Sequence, residues 1–300
     1  MPTILEDKDW DNLLCRIKAG KCTPFLGAGA SYGLLPLGKD IAQKWAKDHD
    51  YPLEDSGNLA RVAQFLAVEI DQMNPKEKIV EEFKGAIKNV ESPGSPPVNE
   101  IHKLMSDLPL PVYMTTNYDN FIEQALKSRN RNPKLELCKW NEYVKQNFQS
   151  VFTAATGFSP DVANPVVFHL HGHIDMAESL VLTEDDYLDF LMSISDQDLL
   201  PARIREAFTG TSLLFIGYQI SDWNFRVLFR SLVSYMKKSL QRSHVSVQIT
   251  PVKETDSENH KKKAQDYLDH YFGELRIRVY WGTADQFAAE LKSRWEAFKK

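Results

Sequence analysis

Four short segments of this sequence place small, hydroxyl, amide, carboxylate or imidazole side chains directly after strand-like apolar runs. They are "GAGAS" at 27–31, "TTNYD" at 115–119, "HLHGHID" at 169–175 and "GYQISDWN" at 217–224. In a parallel sheet the carboxyl ends of the strands lie along one edge, and ligands bind there. The sequence therefore predicts that these four segments contribute to one site.

The stretch that contains the first segment also fits a second phosphate motif. Residues 33–39 match the spacing G-x-x-x-x-G-K, but Asp40 follows, where a nucleotide triphosphatase loop needs a Ser or Thr hydroxyl to bind magnesium. A carboxylate at that position would repel phosphate, and Pro36 has no N–H to offer. We therefore interpret this part as the beginning of a helix and not as a triphosphatase loop.

The turn Gly27–Ala28–Gly29 is the better phosphate candidate, because it directly follows the strand-like run "CTPFL". Small residues there let a pyrophosphate approach the backbone. Tyr32 occupies the position of the third glycine in the usual dinucleotide fingerprint, so the match is partial. An ordinary tight turn that requires glycine remains the alternative.

Two of the segments allow either ligand binding or simple helix capping. Asn117 and Asp119 precede the helical pattern "FIEQAL", where Asn and Asp are common caps. Asp222 stands in the same position before a later helix, and Gly217 permits a close approach of the backbone. Each segment alone is a weak signal, so the prediction of a site depends on the whole set.

The histidines His169, His171 and His173 alternate along the third segment. On an extended strand all three would face the same way, as the ligands of a metal-dependent hydrolase would. Gly172 is expected to break the strand between the second and the third. One catalytic imidazole with structural neighbours is favoured, because imidazole transfers protons near neutral pH; a fully structural cluster also stays open.

Composition argues against several other classes of function. The net charge is −5 at a pI near 5.9, whereas nucleic-acid-binding domains usually carry a basic face. The apolar runs are too short to cross a membrane, and the N-terminus has no apolar signal, so we expect a cytoplasmic protein. The three cysteines, Cys15, Cys22 and Cys138, cannot supply a four-thiolate zinc site.

The elements that must position these residues alternate between strands and helices. The apolar runs "CTPFLG", "PVYMTTN", "PVVFHLHG", "SLLFIG", "HVSVQIT" and "LRIRVYW" predict strands, and "LVLT" is interpreted as another. This pattern predicts an α/β fold with a Rossmann-like, doubly wound, mostly parallel sheet. Three helical patterns in a row predict a helical insertion at about 39–107 that forms a smaller subdomain. The chain is thus expected to be one domain, 1–300, whose core comprises 1–38 and 108–300.

Taken in this order, the segments "GAGAS", "TTNYD" and "LHG" resemble the motifs of the sirtuin family over about residues 20–235. Deacetylating sirtuins carry a four-cysteine zinc module after the catalytic histidine, and this sequence has no zinc module. The runs "LHGHID…LVLTEDDY" and "FIGYQISDWN" are similar to the bacterial sirtuin-like domain of anti-phage defence systems. Members of that group hydrolyse NAD.

The resemblance implies a role for each matched residue. Asn117 would orient the attacking water or the nicotinamide ribose, and His171 would act as the general base. Asp119 would hold the ribose and amide region, and Gly217 would border the adenosine end. No metal is implied. The implied NAD-binding residues are Gly27, Ala28, Gly29, Ser31, Thr116, Asp119, Gly217 and Asp222.

The implied activity is an NAD glycohydrolase that releases nicotinamide and ADP-ribose as the toxic effector of abortive infection. Such an enzyme needs control, so we expect a homo-oligomer or a partner protein, such as a HerA-type ATPase or an Argonaute-like sensor. Two alternatives stay open: an NAD-dependent protein deacylase or ADP-ribosyltransferase, and a non-catalytic module that senses NAD or ADP-ribose.

Overall fold

A single sheet of seven short strands forms the centre of the molecule. The computed structural model describes residues 5–90, 97–153, 155–194, 199–218, 243–249 and 256–299. Within them each strand is four or five residues long, and every strand pairing is parallel. The strands are β1 Cys22–Leu26, β2 Val112–Thr115, β3 Lys134–Leu137, β4 Val166–His169, β5 Ser212–Ile216, β6 His244–Gln248 and β7 Ile277–Trp281.

The order of the strands is β3-β4-β2-β1-β5-β6-β7. From β1 the chain builds one half of the sheet and then returns to the other side of β1 to build the second half. The point where the direction reverses lies between β1 and β5, and this is where doubly wound sheets bind ligands. The predicted α/β, Rossmann-like fold is confirmed, with a sheet that is parallel throughout the described residues.

Helices cover both faces of the sheet. Successive residues of a central strand enter different cores: Phe215 of β5 belongs to one apolar cluster, and Leu214 and Ile216 to the other. This explains why these strands read as continuous apolar runs. None of the described helices is long and apolar enough to cross a membrane. One face carries α8 Glu184–Ile194, α9 Ala202–Gly210 and α10 Glu258–Glu274, and the other carries α1 Asp7–Lys18, α5 Glu100–Asp107, α6 Phe121–Ser128 and α11 Ala284–Lys299.

The predicted helical insertion contains three consecutive helices with an apolar core of their own. They are α2 Gly38–Asp48, α3 Leu59–Glu69 and α4 Asn74–Val90, and their shared cluster includes the buried Trp45. Leu180 and Leu182, which follow β4, complete this cluster. Helix α5 falls inside the predicted range 39–107 but packs in a core of the main sheet.

The structure differs from the sequence-based assignment of elements in two places. The run "LVLT" at 180–183 is not a strand but a buried connection, in which the N–H groups of Leu182 and Thr183 donate to the Asp186 carboxylate at 3.0 Å. These bonds cap helix α8. Strand β3 and the short helix α7 Glu142–Asn147 were not predicted, because the half-charged sequence "KLEL" and a six-residue helix carry little periodic signal.

Candidate active site

The loops after β1 and β5 are in direct contact at the point where the chain direction reverses. The N–H of Gly27 donates to the Ile216 carbonyl at 2.8 Å, and the N–H of Gly29 donates to the Gly217 carbonyl at 2.9 Å. Gly217 has φ +83°, and a Cβ there would lie 2.2 Å from the Ala30 nitrogen. The glycines therefore let the two loops approach each other. For Gly27 and Gly29 the sequence analysis had considered only the approach of a phosphate to the backbone.

Asn117 is held by its side-chain amide against the glycine loop. Its Nδ2 donates to the Gly27 carbonyl and to Ser31 Oγ, both at 3.1 Å, while Ser31 Oγ donates to Asp119 Oδ2 at 2.9 Å. Because a carbonyl can only accept, the Gly27 bond also fixes which end of the amide is nitrogen. Asn117 Oδ1 forms no hydrogen bond with any residue that the structure describes, so it is free to accept one from a ligand or water.

Asp119 is a buried carboxyl group with two protein donors. It accepts the Ser31 hydroxyl on Oδ2 and the Phe121 N–H on Oδ1 at 3.1 Å. Burial raises the pKa of Asp119 to about 6, although both hydrogen bonds act in the opposite direction. Tyr118 points the other way, and its hydroxyl donates to the Val181 carbonyl at 2.6 Å. Asn117 and Asp119 thus lie at the candidate site, whereas Tyr118 between them faces the helical insertion.

Thr116 connects the loops after β2 and β5. Its Oγ1 lies 2.9 Å from the hydroxyl of Tyr218, which in turn donates to the Leu26 carbonyl at 2.9 Å. Sequence reasoning did not single out Tyr218, although an aromatic hydroxyl directly after Gly217 was a usable signal. Tyr218 therefore connects the loops after β1, β2 and β5, and we add it to the candidate site residues.

His171 lies in an aromatic pocket apart from the other two histidines. Its ring meets Tyr187 edge-on at 5.5 Å and Phe190 at 4.9 Å between ring centroids, and both aromatic residues belong to α8. The ring makes no hydrogen bond with a described residue. Burial lowers the pKa of His171 to about 3, so the imidazole is neutral near pH 7 and, in this buried state, a weak base.

Strand β4 ends at His169, before the second histidine and not at Gly172 as predicted, and Gly172 makes a turn between the second and the third. Its φ is +90°, and a Cβ there would lie 2.2 Å from the Ser179 carbonyl oxygen. The rings of His169 and His173 pack edge-on at 4.8 Å, whereas His171 faces α8. The three histidines therefore do not share one face, as an extended strand would have required.

His169 is paired with Glu123 of α6 in the interior. Its Nε2 lies 2.6 Å from Glu123 Oε1, and its Nδ1 lies 3.0 Å from the Asn117 carbonyl oxygen. Burial alone would lower the pKa of His169, but the Glu123 carboxylate and the Asn117 carbonyl outweigh it and raise the pKa. For Glu123 burial alone would raise the pKa, but the charge and hydrogen bond of His169, together with the charge of His173, outweigh it and lower the pKa. The two groups therefore form an ion pair.

Glu123, His169 and His173 are the described residues that come nearest to a metal-binding set. One donor atom of each lies within 4.8 Å of the others. However, the separation of 2.6 Å between His169 Nε2 and Glu123 Oε1 is that of a hydrogen bond. Two ligands with bonds of about 2.0–2.2 Å to one ion stand farther apart than that. The geometry of this cluster fits an ion pair and not a metal centre.

Three of the predicted residues do not contribute observed contacts to this group. Ala28 is exposed at the start of a short helical turn, Ala28–Ser31, and Asp222 lies outside the described residues. His171 lies close by in the chain, but no bond joins its ring to Asn117. Their roles in binding or catalysis stay predictions.

A cavity of about 690 Å³ lies elsewhere, beside the edge strand β3. None of the predicted site residues lines it. Its wall includes one buried carboxyl, three cationic side chains and two aromatic rings: Glu136, Lys139, Lys145, Arg203, Phe152 and Phe158.

Comparison with known proteins points to one family. The family model for the SIR2-like domain matches residues 111–273. The chain is 30% identical over 186 residues to the NAD(+) hydrolase ThsA of Enterococcus faecium, covering 61% of this chain and 34% of that protein. It is 27% identical over 236 residues to the NAD(+) hydrolase ThsA of Bacillus cereus (strain MSX-D12), covering 73% and 41%.

A third relative has a different name. The chain is 26% identical over 234 residues to the defense-associated sirtuin 2 of Bacillus subtilis, covering 74% of this chain and 20% of that protein. The matched region therefore spans less than half the length of each of these three relatives.

Proposed function

We propose that this chain, which belongs to the SIR2-like domain family, hydrolyses NAD to nicotinamide and ADP-ribose. The observation that carries the proposal is the hydrogen-bonded group of Asn117, Ser31 and Asp119 against the glycine loop, at the edge of the sheet where ligands bind. The names of the relatives, NAD(+) hydrolase ThsA, support the choice of substrate.

The proposed reaction needs few chemical groups. The bond between the ribose C1′ and the nicotinamide nitrogen breaks, and its electron pair stays on nicotinamide, which leaves as a neutral ring. A water oxygen bonds to C1′, and its proton is released. We assign Asn117 Oδ1 to orient this water or the ribose, and the His171 ring to take up the proton at the ribose.

We further assign the NAD phosphates to the loop 27–31. We propose that the phosphates are held by Gly27, Ala28, Gly29 and Ser31, and that Thr116, Asp119 and Gly217 border the ribose and adenosine.

We also propose that the chain forms one domain, 1–300, with a helical insertion at 39–107.

The first test is direct incubation with NAD. The purified protein is expected to release nicotinamide and ADP-ribose, separated by chromatography, at the same rate with and without EDTA. Asn117→Ala and His171→Ala are each expected to reduce the rate at least about 100-fold, the size of effect typical of a lost positioning or general-base group.

The controls divide the alternatives. Asn120→Ala, beside the site at the start of α6, is the matched control, because its side chain caps no backbone group there; it should retain activity. Loss of activity in EDTA would contradict a metal-free reaction. Nicotinamide release only after addition of a protein substrate would indicate a deacylase or transferase. Tight binding of unchanged NAD would indicate a sensing module.

We propose that this activity serves anti-phage defence in the cytoplasm, which the name defense-associated sirtuin 2 of a relative supports. Uncontrolled loss of NAD would kill the cell, so the activity is proposed to depend on homo-oligomerisation or on a partner of the HerA-type ATPase or Argonaute-like class. A purified chain that is monomeric and fully active alone would contradict this control.

A further inference from the structure

A buried ion pair lies beneath the candidate catalytic asparagine. Glu123 is on α6 and His169 ends β4, and their side chains are 8% and 0% exposed. Glu123 Oε1 lies 2.6 Å from His169 Nε2, and this contact joins helix α6 to strand β4. Both side chains are buried, so we expect any effect on the reaction to pass through another residue.

The second ring nitrogen of His169 identifies that residue. Nδ1 lies 3.0 Å from the carbonyl oxygen of Asn117. A carbonyl oxygen only accepts, so Nδ1 carries the hydrogen and donates. Asn117 is thus held at both ends, by His169 at its backbone and by Gly27 and Ser31 at its side chain.

Stability alone is a weak explanation for this arrangement. Burying two charges costs several kcal/mol each, and apolar replacements of buried ion pairs are often neutral or stabilising. The other carboxylate oxygen, Glu123 Oε2, is buried without any hydrogen-bond partner among the described residues, which adds to the cost. A costly pair of this kind is more easily explained by what it holds in place.

We propose that Glu123 and His169 are positioning residues: the pair fixes the peptide of Asn117 so that its side-chain oxygen stays directed at the reacting end of NAD. The kinetic part of this inference rests on the proposed NAD hydrolysis. Positioning errors of about 1 Å cost on the order of 100-fold in rate. The pair therefore acts on kcat and leaves ligand affinity nearly unchanged.

The double variant Glu123→Leu/His169→Leu separates positioning from stability. It removes both charges together, so its melting temperature is expected to equal or exceed that of the wild type. Its kcat for NAD is expected to fall about 10–100-fold, while the Kd for ADP-ribose, measured by calorimetry, changes less than about threefold. A folded double variant with the wild-type kcat would overturn the proposal.

The conservative variant Glu123→Gln provides the rescue. Its amide can donate to Nε2, which leaves the hydrogen on Nδ1 and preserves the bond to the Asn117 carbonyl. We expect kcat within about threefold of the wild type. If the double variant does not fold, this variant decides, and a loss as large as that of Asn117→Ala overturns the proposal.

Glu136→Gln is the matched control. Glu136 is also buried, accepts one backbone N–H, from Val151 at 2.9 Å, and has one oxygen without a hydrogen bond. Unlike Glu123, it does not bond to His169, the residue that contacts the Asn117 carbonyl. Its substitution should leave kcat unchanged, and a fall equal to that of the double variant would show that any buried carboxyl has this effect.

The other titratable groups near the Glu123–His169 pair are Asp119 after β2, His102 on α5, Lys127 on α6, and His173 and Asp175 after β4.

A measurement without turnover separates this inference from the proposed function. In ¹⁵N-histidine-labelled wild type at pH 7, the His169 ring is expected to show hydrogens on both nitrogens; a ring without a hydrogen on Nδ1 overturns the proposal. A wild type that releases no nicotinamide but has both ring nitrogens of His169 protonated refutes only the proposed function.

Discussion

The backbone conformation at Gly217 and the atoms around it leave room only for glycine at this position. Its φ of +83° suits glycine, and the Ala30 nitrogen occupies the place of a Cβ at 2.2 Å. The carbonyl of the same residue accepts the N–H of Gly29. A larger residue would therefore push the loops after β1 and β5 apart and disturb the proposed phosphate site.

Gly217→Ala is expected to lower the free energy of unfolding by about 2 kcal/mol, because strain and steric overlap add together. It should also weaken binding of ADP-ribose. Urea unfolding and calorimetry measure the two effects. The control is Gly85→Ala in α4, where a Cβ meets no atom within 4 Å; it should stabilise the protein by about 0.5–1 kcal/mol. Equal behaviour of the two variants would contradict this account.

At the scale of elements, α8 connects the helical insertion with the candidate general base. Its first turn is bound by Lys76 of α4, whose Nζ lies 2.8 Å from Asp186 Oδ1 in a nearly buried ion pair. Its middle supplies the aromatic rings of Tyr187 and Phe190 against His171. The insertion therefore helps to fix the wall of the site, although its residues were not predicted to belong to it.

Asp186→Ala is expected to reduce the free energy of unfolding by about 3 kcal/mol, since it leaves the buried Lys76 without its partner and removes the carboxylate half of the cap of α8. Urea unfolding measures the change. Asp185→Ala is the matched control, because Asp185 is exposed and, among the described residues, its side chain bonds to Gln64 across the same interface; its effect should stay within about 1 kcal/mol. A larger loss in the control would point to general damage to α8.

At the scale of the whole molecule, four buried histidines make folding sensitive to acid. Burial lowers the pKa of His171 to about 3 and of His102 and His244 to about 4. Burial and the charge of His169 lower the pKa of His173 to about 4. At these four positions the unfolded chain, with histidine pKa values near 6.5, therefore binds more protons than the folded protein between about pH 4 and 6.5.

We expect the free energy of unfolding to fall on acidification from pH 7 to 5, by about 1–2 kcal/mol for each such histidine. Asp119, with its pKa raised to about 6, and His169, whose pKa is also raised, oppose this trend in part. Urea unfolding at both pH values measures the difference. His244→Gln should reduce it and the exposed His270→Gln should not; a protein more stable at pH 5 would contradict the prediction.

Local patterns in the sequence determined the fold class, the helices of the insertion and the family. Buried parallel strands read as continuous apolar runs whatever their neighbours, and the segments "GAGAS", "TTNYD" and "LHG" are contiguous. The predicted fold and the resemblance to sirtuins are confirmed by the sheet topology and the SIR2-like family model. The catalytic roles of Asn117 and His171 stay predictions.

Only the tertiary structure decided which residues meet. The Glu123–His169 pair, the contact of Gly29 with Gly217, and the bond between Thr116 and Tyr218 join positions 46, 188 and 102 residues apart. The local periodicity of the sequence carries no information about contacts between residues so far apart in the chain. The end of β4 at His169 and the turn at Gly172 likewise place His171 apart from its neighbouring histidines. The sequence thus determined which groups are present, and the packing of loops from distant strands decided what each one contacts.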